Sequence, residues 1–138
     1  MDTKTWLGAA LPEQRPQELR QALRQGIGAD SLAAFKAQTA MADEELAQAL
    51  EMSPRSLNRL RARHAERLPA DTSDRLYALS KLYSLAEDVF GDRETALGWL
   101  REPQFALGNE RPRDWLSSEY GREQVRALLE RLRHGQVA

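Results

Sequence analysis

The chain has 138 residues, 41 % of them apolar and 30 % charged, with a formal net charge of −1. That length suits one ordinary domain or two small lobes, and that apolar share supplies a packed core rather than a disordered chain. Having no cysteine excludes disulfides and thiolate metal sites, which is compatible with a reducing cytoplasm.

Leu, Ala, Arg, Glu and Gln dominate while Val and Ile are scarce, so the expected class is all-α. Pro, Gly, Asp and Ser punctuate the pattern. The first helix is predicted from Pro16 to Gln25, with Leu19, Ala22 and Leu23 on one face and Gly26 and Gly28 as its stop. A second begins near Asp30 or Ser31 as N-cap and carries Leu32, Ala33 and Phe35. A third begins at Asp43, read as another N-cap, and carries Leu46, Ala47 and Leu50. A fourth begins at Pro54 behind Ser53 and carries Leu57, Leu60 and His64. After a break over Leu68 to Thr72, Ser73 opens a longer helix with Leu76, Leu79, Leu82, Tyr83, Ala86, Val89 and Phe90 at helical spacing, stopped by Gly91. Glu94 to Arg101 makes a short helix with Ala96, Leu97 and Leu100. A loop from Pro103 to Pro112 leads to a helical turn with Trp115 and Leu116. Gly121 then precedes a last helix that buries Val125, Leu128, Leu129 and Leu132.

The third and fourth helices read as a helix-turn-helix. Leu46, Leu50, Met52, Leu57 and Leu60 fall at its buried offsets, Ala47 at the close helix–helix contact, and Glu51, Met52 and Ser53 form the turn. Many such motifs hold Gly where Glu51 stands, because that backbone position disfavours a side chain. At 100° per residue, Arg55, Arg59 and Arg63 form an outward stripe flanked by Ser56 and Asn58. Arg suits phosphate and guanine and Asn suits adenine, while Ser53 sits where helix N–H groups can meet a phosphate. Residues 53–67 carry five arginines against one glutamate in a nearly neutral chain. The alternative is a solvated basic face without a ligand. The expected DNA-binding residues are Ser53, Arg55, Ser56, Asn58, Arg59 and Arg63. One such motif covers only a few base pairs, so a homodimer on a palindrome is expected, with the helix around Leu19 and Leu23 as a candidate pairing surface.

The last third carries a dense set of Gly, Pro and Trp positions. They are Gly91, Asp92, Ala96, Trp99, Leu100, Pro103, Leu107, Gly108, Pro112, Leu116, Gly121, Val125, Leu129 and Gly135, with Ser73 to Leu76 and Ala86 to Phe90 extending the pattern upstream. In order and spacing this stretch resembles the C-terminal, toxin-binding domain of the Xre/MbcA/ParS antitoxins. One departure is Asn109, where members often have a second Gly; Asn also tolerates left-handed backbone. The resemblance implies an all-α protein with an N-terminal Xre-like helix-turn-helix domain (residues 1–70) and a small helical toxin-binding domain (71–138). It implies as partners a RES-domain toxin that consumes NAD and the operator DNA of the chain's own operon. It also places the last helix and tail at the toxin's active-site entrance, corresponding here to Arg126, Glu130, Arg133, His134, Gly135, Gln136, Val137 and Ala138. The residues alone read as an ordinary amphipathic helix with a frayed end. Trp99 is expected in the core, and Trp115 is open between core and partner contact.

No enzyme is indicated. Gly26-Ile27-Gly28 follows no strand and is not a dinucleotide fingerprint, and no P-loop is present. No carboxylate pair sits in an apolar context suited to acid–base work. His64 and His134 follow no metal-ligand spacing, so neither metal nor cofactor is expected. No apolar run approaches the roughly 20 residues that span a bilayer, and the first residues lack a signal-peptide core, so a cytoplasmic protein away from membranes is expected. The expected function is therefore an antitoxin that occludes its toxin and represses its operon. The alternative is a stand-alone transcription regulator whose C-terminal lobe dimerises or binds another protein.

Overall fold

The computed structural model describes residues 3–63 and 66–135. His64, Gln136, Val137 and Ala138, singled out above, lie outside them. Among the described residues the regular structure is helical, with two isolated bridges and no strand. The chain divides into two compact units, Asp2–Lys81 and Leu82–Ala138.

The first unit opens with α1 (Lys4–Leu7), a single turn closed by Gly8 that buries Trp6 and Leu7 and packs on α3 (Asp30–Thr39). Four residues are too few to print a helical period, so the sequence does not announce α1. Between them α2 (Pro16–Gln25) has the predicted bounds, set by Pro16 at its start and Gly26 after its end. None of its residues is fully buried; Leu19, Ala22 and Leu23 are half-buried. Ala29, not Asp30 or Ser31, occupies the cap position of α3, and no side chain caps it.

Asp43 is likewise not a cap but the first residue of α4 (Asp43–Ala49), behind Ala42. The Ala42 N–H donates instead to Glu45 Oε1 at 3.1 Å, the return half of a capping box. Ser53 caps α5 (Pro54–Arg61) as expected: its Oγ accepts from Ser56 N–H at 3.1 Å. The long helix α6 (Ala70–Phe90) begins three residues before Ser73. Ser73 is buried, and its Oγ accepts the Ile27 N–H at 3.0 Å.

The second unit holds the last part of α6, then α7 (Arg93–Arg101), 3-10 turns at Phe105–Leu107 and Pro112–Trp115, and α8 (Glu119–Arg133). Asp92 caps α7 through the Thr95 N–H at 2.9 Å. Ser118, not Gly121, precedes α8 as its cap, accepting from Gly121 N–H at 3.0 Å. Gly121 therefore lies inside the helix, and its role is close approach: a Cβ there would fall 1.8 Å from the Trp115 carbonyl oxygen. Val125, Leu128 and Leu129 are buried as predicted, whereas Leu132 is half-exposed. Trp99 is half-exposed rather than core, its ring 5.6 Å from that of Phe90.

Candidate nucleic-acid and partner interfaces

The turn between α4 and α5 sets the geometry of the helix-turn-helix. Met52 N–H donates to Ala47 O at 2.9 Å and Glu51 N–H to Gln48 O at 3.0 Å, the paired bonds of a Schellman C-cap. That motif requires left-handed backbone at Glu51, whose φ is 58°. The non-glycine residue is held there by Arg75 of α6, whose Nε lies 2.8 Å from Glu51 Oε2. Nothing local in the sequence pairs residues 51 and 75, so Arg75 escapes a reading by spacing.

The five arginines of residues 53–67 separate into two groups. Arg61 Nη1 lies 2.6 Å from Asp43 Oδ1, with Lys36 Nζ 3.3 Å from the same oxygen. Burial alone would raise the Asp43 carboxyl, but the Lys36 hydrogen bond and the charges of Arg61 and Lys36 outweigh it and hold it below its ordinary value. Arg67 Nη1 donates to the Gly26 carbonyl at 3.0 Å. These two cations belong to the scaffold. Arg55 and Arg59, one helical turn apart on α5, are exposed, as is Asn58, and among the described residues neither arginine has an ion-pair partner. Arg63 is exposed too, but α5 ends at Arg61, so Arg63 follows the helix instead of extending its stripe; its Nε is 3.9 Å from Glu66. Ser56 is half-buried, and its Oγ accepts from the Ser53 hydroxyl at 3.0 Å. The result is an exposed cationic face of Arg55, Asn58 and Arg59 with Ser53 at its N-terminal edge.

Toward the end of α8, four of the charged or titratable side chains, Arg126, Glu130, Arg133 and His134, contact neighbours on the same helix. Arg126 grips Glu123 through both carboxylate oxygens, at 2.9 and 2.6 Å. The shared hydrogen bonds, more than the charges, lower the Glu123 carboxyl and raise the Arg126 guanidinium. Glu130 lies 3.5 Å from Arg133 and 3.9 Å from His134. Gly135 follows with φ 76°. Arg126, Arg133, His134 and Gly135 are exposed and Glu130 is half-buried.

The same unit carries two exposed aromatic side chains that no spacing in the sequence announces. Phe105 is 84 % exposed and Tyr120 69 %. Trp115, half-exposed, donates its indole N–H to Glu110 Oε1 at 3.1 Å. Among the described residues no group of three or more His, Asp or Glu is placed to hold a metal, and no helix is long and apolar enough to cross a membrane.

Fold and surface thus define an all-α protein with a helix-turn-helix in its first unit and a compact helical second unit. Residues 18–81 match the family model described as an antitoxin Xre-like helix-turn-helix domain, and residues 85–135 match that of the antitoxin Xre/MbcA/ParS C-terminal toxin-binding domain. The chain belongs to this antitoxin family. Among relatives, "Antitoxin Xre" of Pseudomonas putida is 32 % identical over 49 % of this chain, a match that spans only 43 % of that relative's length. The "Prs ADP-ribosylating antitoxin" of a Sphingobium species is 27 % identical over 84 % of this chain and 78 % of its own. The solved MbcT–MbcA toxin–antitoxin complex of M. tuberculosis contains a chain with the same fold: TM-score 0.59 at 23 % identity, covering 80 % of this chain and 96 % of that one.

Proposed function

We infer that this chain neutralises a RES-domain, NAD-consuming toxin by covering its active site, represses its own operon by binding operator DNA, and does both without catalysis of its own. The observation that carries this reading is the union in one chain of a helix-turn-helix presenting Arg55 and Arg59, unpaired among the described residues, with a domain whose family is described as toxin-binding. A relative whose name joins "antitoxin" to ADP-ribosylation is in keeping with a partner that uses NAD.

In this reading Ser53, Arg55, Ser56, Asn58, Arg59 and Arg63 meet the DNA. Ser53 and Ser56 fix the helix start, Arg55 and Arg59 take phosphates or guanine edges, and Arg63 contributes from beyond the helix. Two copies act on a palindromic site, paired through the half-buried apolar face of α2 around Leu19 and Leu23. Arg126, Glu130, Arg133, His134 and Gly135, with Gln136, Val137 and Ala138, approach the toxin's dinucleotide pocket; of these Glu130 and Gln136 offer the acidic and polar groups that the pocket's cationic groups favour. The pairs of Glu130 at 3.5 and 3.9 Å are long enough to be exchanged at little cost for partners on the toxin. Such a protein works in the cytoplasm, beside its operon and its toxin.

The test is separation of functions. Arg55→Ala with Arg59→Ala is expected to abolish operator binding and leave toxin neutralisation intact. Deleting residues 134–138 is expected to weaken neutralisation and spare operator binding. A well-folded double variant that loses both activities, or a truncated chain that protects fully, contradicts the reading.

A further inference from the structure

The second unit has an aromatic residue whose exposure its own fold does not require. The segment from Gln104 to Glu110 is a closed loop. Gln104 N–H donates to Glu110 O at 3.0 Å and Asn109 N–H to Gln104 O at 2.9 Å, while Leu107 N–H and Gly108 N–H close the 3-10 turn on Gln104 O and Phe105 O, each at 3.0 Å. The Gln104 side chain donates to the Trp99 carbonyl at 3.1 Å and ties the loop to the end of α7. Left-handed backbone at Gly108 and Asn109, φ 68° and 64°, completes the turn. Leu107 points inward, only 6 % exposed, and Phe105 on the same turn is 84 % exposed. A rigid loop thus holds a phenyl ring in water.

Single exposed apolar residues are common and by themselves signify nothing. Here three circumstances combine. The ring has no polar atom to hydrate, unlike the exposed Tyr120. The loop is pre-organised, so ordering it on binding costs little conformational entropy. Arg126, Glu130, Arg133 and His134, toward the end of α8, already contact neighbours on their own helix, and rim charges of that kind add little affinity, whereas aromatic side chains entering a pocket are the usual centres of binding energy.

We propose that Phe105, held out by the loop Gln104–Glu110, is the apolar anchor through which this chain docks on its toxin, inserting into an apolar pocket of the toxin surface. The occupant is the toxin because the whole loop falls within residues 85–135, matched to a toxin-binding domain. The inference rests on the toxin-neutralising function proposed above and assigns affinity to a residue outside the α8 end. Anchor and plug then have different signatures: loss of the anchor weakens the complex but permits full inhibition at saturation, while loss of the plug leaves a complex that inhibits incompletely.

The experiment compares the full chain with Phe105→Leu and Phe105→Ala, titrated against the toxin purified from its complex with the unaltered chain. Dissociation constant, maximal inhibition of NAD turnover and melting temperature are read together. The expected result is a graded loss, smaller for Leu and tenfold or more for Ala, with complete inhibition at saturation and an unchanged melting temperature. A loss below tenfold for Phe105→Ala, incomplete inhibition at saturation, or a loss as large for Leu as for Ala overturns the anchor while leaving the antitoxin function standing. If the unaltered chain itself binds no toxin, the function proposed above falls, and the anchor with it.

Discussion

The division of the basic segment into scaffold and free arginines makes a quantitative prediction for DNA binding. Each arginine that neutralises a phosphate releases about 0.9 counterion from duplex DNA, so the slope of log affinity against log salt is roughly −0.9 per contact. Arg55 and Arg59 are unpaired among the described residues, and Arg63 faces Glu66 only at 3.9 Å. Two or three contacts per copy, on two bound copies, give a slope between roughly −3.6 and −5.4. Arg59→Ala removes one contact per copy and flattens the slope by about 1.8, so that between about 50 and about 200 mM salt the variant loses roughly twelvefold less affinity than the unaltered chain. Arg61→Ala provides the contrast, because its guanidinium lies 2.6 Å from Asp43 and serves the fold. That change is expected to cost at most about 1 kcal/mol of stability, as exposed pairs do, and to move the slope by less than about a third as much as Arg59→Ala. Fluorescence anisotropy with an operator duplex over a salt series reads both. An Arg59→Ala slope equal to that of the unaltered chain, or an Arg61→Ala slope that changes more, refutes the assignment of Arg55 and Arg59 as the contact face.

Three further expectations concern the scaffold. Gly121→Ala places a Cβ 1.8 Å from the Trp115 carbonyl oxygen, which is backbone and cannot swing aside; overpacking of that kind outweighs the gain in helix propensity and costs about 1–3 kcal/mol, so a urea midpoint at or above the original contradicts it. Gly98, inside α7, is the opposite case: a Cβ there meets nothing within 4 Å, and Gly98→Ala is expected to stabilise by about 0.5–1 kcal/mol, a lowered melting temperature being the adverse result. Asp43 is depressed in the folded chain, so its contribution to stability is complete above the carboxyl's unfolded value and is lost as pH falls through the lower folded value. The stability gap between the unaltered chain and Asp43→Asn is thus expected to shrink in acid, and a gap that stays constant down to about pH 2 argues against the pairing.

Where structure is written locally, the sequence is a good guide. Pro16 and Gly26 bound α2 where they should, Ser53 and Pro54 open α5, and Leu46, Leu50, Leu57 and Leu60 fill the core of the helix-turn-helix. Where a residue has two possible uses, local reading misleads. Asp43 has the chemistry of an N-cap, but the carboxylate is taken by Lys36 and Arg61 while Glu45 satisfies the Ala42 N–H. Gly121 has the look of a helix boundary, yet it is the interior position where Trp115 comes too close for a side chain. An unexpected Glu at a left-handed turn is intelligible only with Arg75, twenty-four positions away, beside it. The basic stripe was legible as a face of arginines; which of them remain free depends on partners from other helices, and the 3-10 turn that exposes Phe105 leaves no period to read.

The measurement that bears most directly on the antitoxin function is NAD turnover by the toxin that co-purifies with this chain, assayed in the complex and again after the chain is stripped away and added back. The expected result is a stable complex that is silent, a freed partner that consumes NAD, and silence restored in proportion to the chain returned. A partner with the same NAD activity in both states, or no partner at all, contradicts it and leaves a stand-alone helix-turn-helix regulator in its place.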